Sequence, residues 1–256
     1  MARPVPATRL PRTREPGVNN RDGRPMELKE LVRAVGSRRF RRIPIKTHII
    51  TDKDKIIDVV RRYALGILQP GDVITVSEKV VAITQGRAIP ISKIKVGFWA
   101  HVLWRFVRKV PYGIGLRSPW SMQCAIDETG VPRILLAAVI GGFLRMLGRR
   151  GDFYRIAGKQ AAMVDAAHTA GLKEYYECVI KGPRDPEKVA QQIADALEMP
   201  TAIVDVNDIT GAWVVAGSRG VDAPIIEEAL DDNPAGQGDA CTPIILVREL
   251  REGEES

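Results

Sequence analysis

The sequence predicts an α+β fold, with mixed sheets and packed helices, and three observations carry that prediction. Strand-like and helix-like segments alternate along the chain without settling into a regular strand–helix–strand repeat. No internal repeat is visible. Of the 256 residues, 45% are hydrophobic and 27% charged, enough for one large core and unlike a disordered, collagen-like or disulfide-stapled chain.

The elements read in order as follows. Met26 to Val35 reads as a short helix ending at Gly36. Ile43 to Ile50 reads as a strand, with Pro44 pointing to an edge or a strand start. Thr51 is a good N-cap for a helix carrying Ile56, Ile57, Val60, Tyr63, Ala64 and Ile67 at three- and four-residue spacing. Pro70-Gly71 is a turn, and Asp72 to Ser77 and Val80 to Thr84 read as strands. Phe98 to Lys109 is amphipathic at helical spacing, and Pro111 to Gly115 is loop. Ile134 to Leu144 is an eleven-residue apolar run, the longest in the chain. It suits a buried strand or a tightly packed helix and falls short of the roughly 18 residues that span a bilayer. Glu177 to Lys181 reads as a strand. Asp185-Pro186 opens a helix running to about Glu198, with Asp185 as N-cap and Pro186 at the first helical position. Thr201 to Val206, Trp213 to Ala216 and Ile244 to Val247 read as strands, and Ala223 to Leu230 as a short helix.

Charge is distributed unevenly. The net charge is +7, yet residues 1–42 hold twelve basic and four acidic side chains, so the remainder is close to neutral. The high pI therefore belongs to the front of the chain and argues little for a nucleic-acid partner of the folded body. Residues 1–25 read as a disordered basic tail, and Met26 stands as an alternative start, so the folded domain is expected to span 26–256. Residues 79–126 contain eight Lys or Arg and no acid. Three scattered cysteines and an Arg- and Pro-rich front without an apolar core point to the cytoplasm.

Several chemistries are excluded by pattern. The sequence has no GxxxxGK[ST] loop, no HExxH, no GxSxG and no CxxC, and its three histidines are scattered. Two acidic clusters are better placed. Asn207-Asp208 ends an apolar strand, where ligands commonly bind in sheet proteins, and offers oxygens to a hard cation. Asp127-Glu128 is expected in a loop directly after the acid-free basic stretch. Separated carboxylates holding a divalent ion near Lys and Arg suit phosphoryl chemistry; the same residues also serve as turn caps. Gly151 to Lys159, with Arg155 and Lys159, is expected as a loop whose charges either hold an anion or are simply solvated. The polar loop Asp232 to Asp239 is long enough to cover a site.

These stretches together resemble the coenzyme F420-0:γ-glutamyl ligase family, in particular its shorter ligase-like members. Gly71-Asp72-Val73 through Val81 to Gln85-Gly86-Arg87 is similar to the family's "GDV…VVSKAEGR". Ala125-Ile126-Asp127-Glu128-Thr129-Gly130-Val131 resembles "GIDESNV". Lys181-Gly182-Pro183-Arg184-Asp185-Pro186, through a helix to Ala202–Asp208, resembles the "P.DP" helix and the strand that ends in an Asp-Thr metal motif. The resemblance covers about residues 40–250. It implies an α+β fold assembling as an intertwined homodimer, and GTP-dependent amide formation in which an acceptor carboxylate is phosphorylated and the amine of glutamate attacks the acyl phosphate. It implies Mg²⁺ or Mn²⁺ at Asp127 and Asp208, and nucleotide contacts at Glu78 and Lys79. The sequence departs from the pattern at Ile83, where the family has lysine, at Gln85, Gly130 and Ile209, and in lacking the "FGRPWR" run and the glycine-rich tail.

The sequence thus predicts a metal- and GTP-dependent glutamate ligase acting on an anionic small molecule, with Arg155, Lys159 and Asn207 as anion or substrate contacts. The alternative is a relative that binds such a molecule without turnover. No nucleic acid and no membrane span are expected.

Overall fold

Alternation in one strand organises the molecule. In Ile244–Leu250, Ile244 and Leu246 point to one face of the sheet and Ile245 and Val247 to the other, and all four are buried. A strand with both faces buried must lie inside a layered sheet. The computed structural model describes residues 31–107, 115–149, 151–208, 211–236 and 240–251, all in one compact unit. Its strands are β1 (Val32–Val35), β2 (Arg38–Ile45), β3 (Val73–Ser77), β4 (Ala88–Pro90), β5 (Cys178–Ile180), β6 (Thr201–Asn207), β7 (Gly211–Gly217) and β8 (Ile244–Leu250). Its helices are α1 (Ile56–Ala64), α2 (Glu78–Thr84), α3 (Phe98–Leu103), α4 (Pro119–Thr129), α5 (Val131–Met146), α6 (Asp152–Ala157), α7 (Lys159–Ala162), α8 (Pro186–Leu197) and α9 (Ala223–Leu230), with short 3-10 turns between some of them.

Six strands form the main sheet in the order β1-β2-β8-β3-β6-β7, and β4 and β5 form a separate antiparallel pair. Only β3 and β6 run parallel in the main sheet, with Ser77 opposite Val204. One face of the sheet carries α1 and α8, through Val59, Val60, Ala190 and Ile193 packed on Ile74, Val76, Ile244 and Leu246. The other face carries α9, through Ile226, Ala229 and Leu230 against Ala202, Val204, Ile245 and Val247. A second core joins α3 to α7 with β5, around Leu116, Met122, Ala125, Ile134, Ala137 and Val179. This is the mixed α/β architecture that the strand and helix patterns predict.

The differences from sequence expectation have local causes. Val32–Val35 is a strand, not the end of a helix, because the turn at Gly36-Ser37 folds it onto β2; residues 26–30 and the basic tail lie outside the described residues. Pro44 lies in β2, beyond the reach of β1, which stops opposite Arg41, so its missing N–H falls on a locally open edge. Val80–Thr84 belongs to α2, since a short apolar run fits a buried helix as well as a strand. Thr51 binds the Asp54 carboxylate in a turn (N–H to Oδ2, 2.7 Å), and Lys55 occupies the cap of α1. The loop at residues 111–114 lies outside the described residues.

A buried ion pair locks β8 to the entry of β3. Asp72 is fully buried and accepts two hydrogen bonds from Arg248, at 2.7 and 2.8 Å, and one from the Gln69 N–H at 2.9 Å. Removing one member of such a pair leaves the other charge poorly compensated, at a cost of about 3–5 kcal/mol. Asp72→Ala is expected to lower unfolding free energy by about that amount in a urea titration; a loss of under about 1 kcal/mol, the range of an exposed pair, would remove the pair's structural role.

Candidate active site

Parallel pairing puts the carboxyl ends of β3 and β6 on the same side of the sheet, the place where ligands bind in open sheets. Glu78 and Lys79 follow β3 directly and open α2. Beyond Val204, β6 continues through Asp205 to Asn207, roughly 10 Å of further strand. Asp205 therefore lies level with the start of α2, and Asn207 and Asp208 stand farther out on the same edge.

Around the start of α2 three carboxylates surround one ammonium. Lys79 Nζ lies 3.0 Å from Asp165 Oδ2. That partner, together with Asp205 and Glu78, holds the half-exposed ammonium above the ordinary lysine range. Glu78 is only 5% exposed, and its Oε2 has no hydrogen-bond partner among the described residues. Burial, then the nearby Asp205 and Asp165 carboxylates, push the Glu78 carboxyl far up. Burial also raises Asp205, with Lys79 opposing and Asp165 adding to the rise.

A second charge group closes the far end of α2. Glu128 receives Arg87 at 2.8 Å and Lys181 at 3.1 Å. Burial pushes its carboxyl up, but the hydrogen bonds and charges of these two cations outweigh burial and leave it below the ordinary range. The two groups are stitched together through the backbone: Asp165 and Ile180 exchange hydrogen bonds at 2.8 and 3.1 Å, and the Lys181 N–H donates to the Arg87 carbonyl at 3.1 Å. Asp205, Glu78, Lys79, Asp165, Lys181, Glu128 and Arg87 thus line one band along α2.

The other candidate residues sit as follows. Asp127 is exposed in the last turn of α4, not in a loop: Ser118 caps that helix, Pro119 fills its first position and Gly130 (φ +83°) ends it. Its carboxylate accepts from Gln123 Nε2 at 2.7 Å. Asp208, at the end of β6, accepts from Asn233 Nδ2 at 3.2 Å. Asn233 is buried, and its Oδ1 has no partner among the described residues. The polar loop after α9 thus contacts Asp208 through Asn233, and residues 237–239 of that loop lie outside the described residues. Gly151 to Lys159 is helical, as α6 and the start of α7. There Arg155 pairs with Asp152 at 3.1 Å and Lys159 is exposed. Cys124, one turn before Glu128, is a buried thiol pushed up to about 11 by burial, out of range of nucleophilic use at neutral pH.

No group of three His, Cys, Asp or Glu residues close enough for a metal ion occurs among the described residues. Donor chemistry still fits Mg²⁺ in one respect: this ion keeps several waters and takes one or two carboxylates together with substrate phosphates. Asp208 beside the unsatisfied Asn233 oxygen meets that requirement, as does the unpaired oxygen of Glu78 near Asp205.

The family comparison covers all of these residues but Asn233. The F420-0:Gamma-glutamyl ligase family matches residues 44–221.

The chain belongs to the F420-0:gamma-glutamyl ligase family.

No curated protein shows significant similarity to the chain. The ligase-family match starts in β2 and ends just before α9, so it contains the β3–β6 edge, α2 and both charge groups. Sequence reasoning chose Glu78, Lys79, Asp127 and Asp208, and the structure gathers the first two with Asp165 and Asp205. Asp165 carried no sequence signal: it stands in an Ala-rich stretch and is brought to Lys79 only by its pairing with β5. Asp205 was legible as the polar residue interrupting an otherwise apolar strand.

Glu78 yields a stability prediction. Between the ordinary glutamate value of about 4.3 and its raised folded value, the folded chain holds a proton that the unfolded chain has released. Stability therefore falls as pH rises through that window, and the full contribution is present only below it. Glu78→Gln is expected to raise Tm at pH 8 by roughly 2–4 °C, the shift of about 1 kcal/mol in a domain of this size, and to leave Tm at pH 4 unchanged. Equal effects at both pH values would mean that Glu78 does not titrate abnormally.

Proposed function

We infer that this protein is a metal- and nucleoside-triphosphate-dependent ligase that joins glutamate to the carboxylate of an anionic acceptor. The observation that supports this reading most directly is the band of Lys79, Lys181 and Arg87 interleaved with carboxylates along α2, at the carboxyl edge of β3 and β6 and inside the ligase-family match. In the reaction an acceptor carboxylate oxygen attacks the terminal phosphorus of GTP and GDP leaves. The glutamate nitrogen then attacks the acyl carbon, the C–O bond to phosphate breaks, and the amine releases a proton to solvent. The chain's cations attract and orient the phosphates. Bound Mg²⁺ or Mn²⁺ would supply charge neutralisation at the phosphate oxygens, with Asp127 and Asp208 as its ligands and the Asn233 oxygen beside Asp208 as an added donor. Glu78 and Lys79 would contact the nucleotide, and Arg155, Lys159 and Asn207 the anionic substrate. A homodimer is part of this reading.

A second reading has a specific observation behind it. Ile83 is buried with Ala82 and Ile180 in a small apolar cluster, so no cation reaches the site from the position where the family pattern has lysine. A relative that binds an anionic molecule without turnover accommodates that packing. Calorimetric titration with Mn²⁺, then GTP, ATP and GDP, separates the two. The ligase reading expects metal-dependent binding of a triphosphate, and Asp127→Asn and Asp208→Asn should each weaken Mn²⁺ binding by more than about tenfold, roughly 1.4 kcal/mol, with the fold intact. Metal binding without nucleotide binding would favour the second reading. Unchanged metal affinity in both variants would remove the proposed metal site.

A further inference from the structure

Three carboxylates share one ammonium at the start of α2. Elsewhere in the fold a buried carboxylate has at least one cation of its own: Asp72 has Arg248, and Glu128 has Arg87 and Lys181. Glu78, Asp165 and Asp205 share Lys79. The ammonium contacts Asp165 at 3.0 Å, while Asp205 meets these groups through charge alone. Glu78 is only 5% exposed, and its Oε2 has no hydrogen-bond partner among the described residues. The Asp205 and Asp165 charges act on the Glu78 carboxyl, so it faces the cluster. A buried oxygen in that state costs free energy that an incoming donor recovers. The Lys79 and Asp165 side chains are 47% and 37% exposed, which leaves the cluster open to solvent on their side.

Charge and geometry select the occupant. Even with the Glu78 carboxyl protonated by its surroundings, Asp165 and Asp205 set two negative charges against the one positive charge of Lys79. One further monovalent cation balances them. Lys79 Nζ, an ammonium at hydrogen-bond distance from Asp165, shows the kind of group these carboxylates accept. A divalent ion fits less well. It takes oxygens that converge at about 2.0–2.6 Å, and no three His, Cys, Asp or Glu side chains among the described residues come close enough to hold one. Position also separates the cluster from the metal position read at Asp208. Asp205 follows Ile203 on the face of β6 that packs against α1 and α8, whereas Asp208 meets Asn233 from the loop after α9, the helix on the opposite face. Of the reactants in the ligase reading, GTP and the acceptor are anionic, and glutamate alone brings an ammonium group.

We propose, on the ligase reading, that Asp165 and Asp205, backed by Glu78, bind the α-ammonium group of the incoming amino acid. The test is calorimetric titration of the full chain with L-glutamate and with glutarate, which has both carboxylates and no amine. Wild type should bind L-glutamate at least about tenfold more tightly than glutarate, the effect of about one charge-assisted hydrogen bond. Asp205→Asn should remove that preference while Mn²⁺ and GTP bind as in wild type and circular dichroism stays native. Should that variant misfold, Asp165→Asn should remove the preference as well, since it is the Asp165 backbone that pairs with Ile180. L-glutamate that fails to bind both with and without Mn²⁺ and GTP would overturn the proposal, as would equal affinity for L-glutamate and glutarate, or a folded variant that keeps the preference. A folded Asp205→Asn protein that loses Mn²⁺ rather than L-glutamate would assign the cluster to a metal ion and equally overturn it. A wild type that binds L-glutamate through Asp205 but binds no nucleotide would remove the ligase reading and leave the ammonium site standing.

Discussion

The parallel pairing of β3 with β6 is the constraint on which the rest of the site depends. It is the one parallel contact in the main sheet, and it turns two chain segments more than a hundred residues apart toward the same edge. Antiparallel neighbours β8 and β7 then fix that pair from both sides, and α1, α8 and α9 bury its two faces. Part of the site's chemistry follows from what each strand carries past the β3–β6 pairing: Glu78 and Lys79 after β3, and Asp205, Asn207 and Asp208 along the end of β6.

That edge holds buried polar atoms without partners among the described residues, unlike the ion pairs elsewhere in the fold. Arg248 and Asp72 satisfy each other, and so do Glu128 and its two cations. Glu78 is different: it is buried, near two other carboxylates, and one of its oxygens has no partner among the described residues. A fold tolerates such a group at a cost that an incoming cation or donor would relieve. Asn233, in the loop after α9, is likewise buried with an oxygen lacking a partner among the described residues, and its Nδ2 donates to Asp208 at the end of β6. The family match includes this edge of the sheet and its charge groups.

Much of the fold was legible because local chemistry and tertiary outcome coincide. Asp185-Pro186 opens α8, Ala223 to Leu230 is α9, and the apolar strands β6 and β8 appear where their β-branched runs stand. Misreadings arose where local signals were degenerate or tertiary contacts decided. Val80–Thr84 has strand-like composition yet continues the turn into α2, and Val32–Val35 becomes a strand only because β2 is there to pair with it. Asp127 follows directly on the acid-free stretch and so reads as loop, yet it lies in the last turn of a helix begun by Ser118-Pro119 and ended by Gly130. The site was legible only in part for the same reason. Asp208 stands out at a strand end, Glu78 and Lys79 were indicated only by the family resemblance, and Asp165 reaches Lys79 through a β-bridge to Ile180 that no local pattern encodes.

The central claim is that Glu78 is a buried carboxyl, unsatisfied among the described residues, at the shared carboxyl edge of β3 and β6. Carbon-13 NMR titration of side-chain carboxyl-labelled glutamate, with the Glu78 resonance assigned through the Glu78→Gln variant, tests it most directly. The account predicts a Glu78 midpoint well above the ordinary glutamate value of about 4.3 in the free protein, moving down when Mg²⁺ and GTP are added. A Glu78 resonance that titrates with an ordinary midpoint in the free protein would contradict it.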